Sequence, residues 1–257
     1  PTFVGFFTQA MDIRKYLDST YLKTAKQAGI TKSENVLVVQ AFIQEAINEE
    51  FKLIMIRPNM VPLAKEMITE ANSKVLIGTV IDFPKGKSDL DSKLAEAQKA
   101  IEDGADDLDF VCNYKAFKKG DIDLVKNEIL ACTTLGLEHH KTVKWIIEVA
   151  ALDAKQIIQL SALIKNLVIS NFKEEHYASV FVKSSTGFYK TKNNLPNGAT
   201  RETIILMLEN ASPLPVKAAG GVRTLEEAIA MIRLGVKRIG TSSAKSIANN
   251  ALSQSDY

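Results

Sequence analysis

Eight times along the 257 residues, a short run of apolar and β-branched residues gives way to a longer stretch with helical periodicity. The strand candidates are residues 13–17 (the weakest), 52–56, 74–80, 106–111, 142–149, 179–183, 215–218 and 237–241. The helical stretches are 34–50, 62–71, 88–103, 121–137, 153–167, 200–208, 224–234 and 243–250. Parallel strands need a long crossover, usually a helix, so strict alternation selects a sheet wrapped in helices. Eight such units in about 250 residues is the pattern of a single-domain (β/α)₈ TIM barrel. An open doubly wound sheet shares the periodicity and stays open as the alternative.

Helix punctuation supports the same division. Gly104, Gly136 and Gly235 fall where left-handed C-caps are expected. Ser88, Asp121, Asp153, Thr200 and Thr224 suit N-caps, and Thr224 with Glu227 has capping-box spacing. No low-complexity linker divides the chain, so one domain over 1–257 is expected, with an N-terminal extension over about 1–12 and a polar, flexible tail over about 252–257.

Composition narrows the partners. A formal charge of +2, with 46% hydrophobic and 24% charged residues, is that of an ordinary globular protein. No basic block interleaves with aromatics, which argues against nucleic acid. No apolar run is long enough to span a bilayer, and no cleavable signal pattern opens the chain. Cys112 and Cys132 lack C-x-x-C spacing and fit free thiols in a reducing compartment, so a cytoplasmic location is expected.

In such a barrel, chemistry belongs at the C-terminal ends of the strands. Those ends carry Asp18 and Thr20, Arg57, Asp82, Asp109, Glu148, Lys183, Lys217 and Gly240 through Ser243. All three histidines precede strands, on the opposite face, which argues against histidine catalysis or a histidine metal site. Lys183 and Lys217 end adjacent strand candidates, where an ammonium group loses its water at high cost. A second cation nearby disfavours the charged form further, and a neutral lysine is a nucleophile that forms Schiff bases. Lys144 adds a third charge. Pairing of these amines with Asp109 or Glu148 in a purely structural network is the competing reading. Asp107 and Asp109 share one face of their strand, and a carboxylate there suits proton transfer. Gly220-Gly221-Val222-Arg223-Thr224 and Gly240-Thr241-Ser242-Ser243 follow the seventh and eighth strands, where barrels often bind phosphate.

Several of these segments together resemble deoxyribose-phosphate aldolases, a class I aldolase family. They are Val182-Lys183-Ser184-Ser185-Thr186-Gly187, Val216-Lys217-Ala218-Ala219-Gly220-Gly221-Val222-Arg223-Thr224, Ile146-Ile147-Glu148, Leu108-Asp109-Phe110-Val111, Val80-Ile81-Asp82-Phe83-Pro84-Lys85-Gly86 and Gly240-Thr241-Ser242-Ser243. Asp18-Ser19-Thr20-Tyr21-Leu22 is similar to the family's first-strand motif. The resemblance implies that Lys183 forms the Schiff base, Lys217 perturbs its pKa, and Asp109 moves protons with an ordered water. It implies reversible cleavage of 2-deoxy-D-ribose 5-phosphate to acetaldehyde and D-glyceraldehyde 3-phosphate, with no metal or organic cofactor. Asp18, Thr20, Lys144, Thr186, Gly187, Gly220, Gly221, Val222, Arg223, Gly240, Ser242 and Ser243 are the expected substrate-binding positions. A homodimer is expected, and Tyr257 is a candidate to reach into the site and assist proton transfer.

Three departures accompany the resemblance. Ser184 replaces the first threonine of the common Lys-Thr-Ser-Thr-Gly motif, Phe188 follows the glycine where some relatives have lysine, and Val149-Ala150 replace a more polar pair. Other readings are a Schiff-base barrel of transaldolase or ketose-bisphosphate type, and a non-catalytic sugar-phosphate-binding barrel.

Overall fold

The computed structural model describes residues 12–193 and 195–249. Eight parallel strands close into a barrel in sequence order. They are β1 (Leu17–Thr20), β2 (Leu53–Ile56), β3 (Leu76–Ile81), β4 (Asp107–Val111), β5 (Thr142–Ile146), β6 (Val180–Lys183), β7 (Val216–Ala219) and β8 (Arg238–Thr241). β1 pairs with both β2 and β8, which closes the sheet and rules out the open alternative. Outside lie α1 (Ala25–Ala28), α2 (Lys32–Asn48), α3 (Val61–Glu70), α4 (Leu90–Glu102), α5 (Tyr114–Lys119), α6 (Ile122–Glu138), α7 (Ala154–Asn171), α8 (Arg201–Ala211), α9 (Leu225–Leu234) and α10 (Ala244–Ala248). No helix among the described residues is long and apolar enough to cross a membrane.

The main apolar core fills the shell between strands and helices. Outward-facing Ile54, Ile56, Leu108, Phe110 and Trp145 pack with helical Val39, Ile43, Ile129, Leu160 and Ile164. Full burial of each such side chain contributes about 1.5–3 kcal/mol. Phe110 stacks on Trp145 at 5.1 Å, and the indole N–H donates to Thr133 Oγ1 at 3.0 Å. The alternate residues face the barrel axis. In β2 and β3 these are Leu53, Met55 and Val80, a small apolar cluster; in β4 they are Asp107 and Asp109.

Local chemistry moves several expected boundaries. Residues 13–16 form a 3₁₀ turn capped by Asp12, so the first strand begins at Leu17 and contains Asp18 rather than preceding it. The fifth strand stops at Ile146 because Glu148 adopts a left-handed conformation (φ 58°) and residues 149–151 turn. Ser88 is not the cap of α4: Asp89 fills that role, while Ser88 donates to Asp82. Gly136 ends no helix. It lies inside α6, where an added Cβ would come within 2.3 Å of Val143 Cγ2, so helix and strand touch only because it is glycine. Gly235 caps α9 as expected, with φ 116°. Helices α1 and α5 carry no period in the sequence because four and six residues are too few to show one. His139, His140 and His176 precede β5 and β6, on the face expected for them.

Candidate active site

Strand register brings the charged groups together. Lys183 pairs with Lys217 across β6 and β7, and Asp109 pairs with Lys144 across β4 and β5. Because these residues sit on the inward face, their side chains converge on the axis. Lys183 Nζ and Lys217 Nζ both donate to Asp109 Oδ2, each at 2.9 Å. Lys144 Nζ donates to the other oxygen of Asp109 at 2.8 Å and to Asp107 Oδ2 at 2.6 Å. Asp18 Oδ2 lies 2.6 Å from Lys217 Nζ, and its Oδ1 accepts from Arg238 Nε at 2.7 Å. Arg238 Nη2 completes the ring on Asp107 Oδ2 at 3.2 Å.

Four cations therefore share three carboxylates, all of them buried. Removing ions from water costs several kcal/mol each, and only multiple close pairings offset that cost. Here every carboxylate touches at least two cations. With all seven groups ionised the cluster keeps one uncompensated positive charge, which is relieved when one lysine gives up its proton.

The electrostatics select Lys183. Burial, then the charges of Lys217 and Lys144 acting against Asp109, lower its pKa from 10.5 to about 8. Lys144 goes the other way: burial disfavours its charge, but Asp107 and Asp109 more than compensate and raise its pKa. Burial alone would raise Asp109, yet Lys144, Lys183 and Lys217 hold it well below the usual carboxylate range. Asp18 is likewise lowered, by Arg238, Lys217 and Lys144 against its own burial.

The loop after Lys183 is held by Glu148, whose pKa is raised by burial. Its carboxylate accepts the Thr186 hydroxyl and the Thr186 amide, and Thr186 Oγ1 in turn accepts from Phe188 N at 3.0 Å. Ser184 Oγ bridges to the main chain of Ala219, donating to its carbonyl at 2.8 Å and accepting from its amide at 2.9 Å. The hydroxyl retained at this variant position thus ties the ends of β6 and β7 together. Gly187, Gly220 and Gly221 have φ of 77°, 83° and 88°, a region glycine enters without steric cost. An added Cβ on Gly187 or Gly221 would meet nothing within 4 Å, so both loops present bare backbone to open space. Gly220 instead packs on Gly198, whose own Cβ would fall 2.3 Å from the Gly220 carbonyl oxygen. Phe188 meets Phe83 edge to face at 5.1 Å, with the Arg57 guanidinium 4.8 Å from the Phe83 ring centre. Position 188 thus adds an aromatic wall where some relatives have a charge.

Lys183, Lys217, Asp109 and Lys144 are brought together as the sequence suggested. Asp18 and Lys144 are buried, each held between two partners of the ion-pair cluster. Thr186 donates its hydroxyl to Glu148 and accepts from Phe188 N. Thr20 Oγ1 donates to the Asp18 carbonyl at 2.8 Å. Gly240 lies within β8, where a Cβ would come within 3.1 Å of Lys217 Cε; its absence makes room for the lysine. Val222 is buried, and its carbonyl accepts from Thr241 Oγ1 at 2.7 Å. Arg223 N donates to Glu227 Oε2 at 2.7 Å, fixing the turn into α9. Ser242 is half-buried, and Ser243 N donates to Thr241 Oγ1 at 3.0 Å. Tyr257 lies outside the described residues. Glu148 pairs with Thr186 rather than with a lysine, and Asp82 accepts from Ser88 and pairs with Lys93. Cys112 and Cys132 are buried free thiols, each raised to about 12, chiefly by burial.

Arg238 was not singled out from the sequence. Its signal was present: it alternates with Gly240 on the inward face of β8, as Asp107 does with Asp109 in β4. Among the described residues, no group of three or more His, Cys, Asp and Glu side chains could hold a metal ion.

Comparison with known proteins agrees with this geometry. A family model described as "DeoC/LacD family aldolase" matches residues 9–247. The chain is 40% identical over 242 residues to a deoxyribose-phosphate aldolase of Thermococcus gammatolerans, covering 94% of this chain and 97% of that one. It is 36% identical over 248 residues to deoxyribose-phosphate aldolase 1 of Staphylococcus aureus, covering 96% and 100%. Among solved structures, the aldolase QR15 superposes with a TM-score of 0.76 at 32% identity, covering 93% and 95%. A tetrameric deoxyribose phosphate aldolase from Aeropyrum pernix superposes with a TM-score of 0.73 at 26% identity, covering 92% and 89%. A closed barrel with a buried lysine pair, matched along nearly its whole length by these aldolases, belongs to the DeoC/LacD aldolase family.

Proposed function

We propose that the chain reversibly cleaves 2-deoxy-D-ribose 5-phosphate to acetaldehyde and D-glyceraldehyde 3-phosphate through a Schiff base on Lys183. The observation that carries this reading is the sharing of one Asp109 oxygen by Lys183 and Lys217 inside a cluster with one surplus positive charge. A lysine with a pKa of about 8 has a substantial neutral fraction at neutral pH, whereas one at 10.5 has about one part in a thousand.

The neutral amine of Lys183 adds to the C1 aldehyde of the open-chain sugar, and loss of water from the carbinolamine gives a protonated imine. That cation accepts the electron pair of the C2–C3 bond as it breaks, while the C3 hydroxyl loses its proton and becomes the aldehyde of the departing triose phosphate. The enamine left on Lys183 takes a proton at C2, and water releases acetaldehyde. Asp109, held as a carboxylate, serves as acceptor, and the Lys217 ammonium 2.9 Å away is the adjacent donor. Gly187, Gly220, Gly221, Val222 and Arg223, with Gly240, Ser242 and Ser243, are the proposed phosphate end. The bare, left-handed glycines at Gly187 and Gly221 support that assignment, since an anion can approach their amides closely. Holding the phosphate fixes the carbonyl relative to Lys183 and lowers the barrier by positioning. For assembly we propose a homodimer on the family resemblance alone, and a cytoplasmic location on the two free thiols; the Aeropyrum pernix relative is tetrameric.

Acetaldehyde followed by borohydride should leave an ethyl group on Lys183, read by mass spectrometry of the peptide. Labelling at Lys144 or Lys217 instead, or none at all, would overturn the assignment.

A further inference from the structure

One cation of the cluster lies deep in the barrel, away from the lysine at its mouth. Arg238 is the first residue of β8, in register with Lys217 on β7 and at the opposite end of its strand from the mouth. A guanidinium does not deprotonate in a protein, so its charge is fixed. It occupies Asp18 Oδ1 and Asp107 Oδ2. These are the carboxylates that Lys217 and Lys144 also use, and with Asp107 the very same oxygen.

Without Arg238, three amines would face three carboxylates, and the neutral cluster would be the one with every amine protonated. With Arg238, neutrality requires one amine to be unprotonated. Geometry decides which. Lys144 touches Asp107 and Asp109; Lys217 touches Asp18 and Asp109; Lys183 touches Asp109 alone, through an oxygen it shares with Lys217. Lys183 is also 3% exposed while the other two lysines have no exposed surface. The groups facing Lys183 are Asp109 from β4, Lys144 from β5, Lys217 from β7, and Glu148 beyond the end of β5. Glu148 is engaged by Thr186.

We propose that Arg238 is a positioning residue whose permanent charge, passed through Asp18 and Asp107, makes Lys183 the amine of the cluster that gives up its proton most readily. This rests on reading Lys183 as the imine-forming residue. Arg238 touches neither amine nor substrate in this scheme; it withdraws carboxylate charge from Lys217 and Lys144, which then draw on Asp109 at the expense of Lys183.

The test is the pH dependence of acetaldehyde–borohydride trapping on Lys183. Arg238→Met should move the midpoint up by about one pH unit, slowing trapping about tenfold well below the midpoint, with a high-pH plateau near that of wild type. Arg238→Lys keeps the charge and should keep the wild-type midpoint. Asp107→Asn adds to the surplus of positive charge and should move the midpoint down, which keeps the proposal open to refutation if Arg238→Met does not fold. A rate lowered equally at every pH in Arg238→Met, or a midpoint unmoved or raised in Asp107→Asn, would overturn it. If wild type forms no adduct on Lys183 at any pH, the underlying assignment of the nucleophile falls, and this proposal with it.

Discussion

Replacing Lys217 with leucine removes the cation closest to the proposed nucleophile, and the structure sets the size of the effect. Both ammonium nitrogens lie 2.9 Å from one oxygen, so they are no more than roughly 6 Å apart. At an effective dielectric constant of about 20, two unit charges at that distance repel by ~3 kcal/mol, or about 2 pKa units. Loss of Lys217 also leaves Asp109 less neutralised, which pushes in the same direction. The Lys183 amine, now near 8, should return to about 10. At pH 7.5 the neutral fraction then falls from roughly a quarter to under half a per cent, so imine formation slows about 50- to 100-fold. The assay is single-turnover trapping of acetaldehyde with borohydride from pH 6 to 10.5, followed on the Lys183 peptide. Lys217→Leu should lag at neutral pH and approach wild type near pH 10. A midpoint that does not move, with a neutral rate within threefold of wild type, would refute the electrostatic account.

Gly198→Ala forces a methyl group against the Gly220 carbonyl and should displace the loop assigned to phosphate. The expected result is KM for the phosphorylated sugar raised about tenfold (~1.4 kcal/mol), with little change toward an unphosphorylated sugar; equal loss on both would refute the assignment. Lys183→Met should stabilise the fold at pH 7 by up to about 3 kcal/mol, since the unfolded lysine holds its proton to 10.5 and the folded one only to about 8. Between those values the unfolded chain binds more protons, so wild-type stability rises with pH and the variant's advantage fades; urea unfolding at pH 7 and 10 checks this, and an advantage that grows with pH would refute it.

Much of the barrel was legible because its signals are local. Period two in β4 put Asp107 and Asp109 on one face opposite Leu108 and Phe110, and Asp121, Asp153, Thr200, Thr224 and Gly235 sit at the helix ends expected of them. Short helices and the 3₁₀ turn at Ile13–Tyr16 were not legible, since one turn of helix has no periodicity to detect. Gly136 misled for a related reason: a glycine required by a neighbouring strand looks the same in sequence as one required by a left-handed cap. Lys183 and Lys217 were visible as charges at the ends of buried strands, and the family resemblance implied separate roles for them. Only the closed sheet could show that Lys183 has one carboxylate where Lys144 and Lys217 have two, and that Arg238 is the fourth cation on the same three carboxylates. Asp18 and Arg238 are 220 residues apart, and their pairing depends on β8 closing against β1. Sequence determined which groups are ionisable and which strand face they occupy. The barrel decided how charge is divided among them, because at close range in a water-poor interior a proton's affinity depends on every neighbouring charge at once.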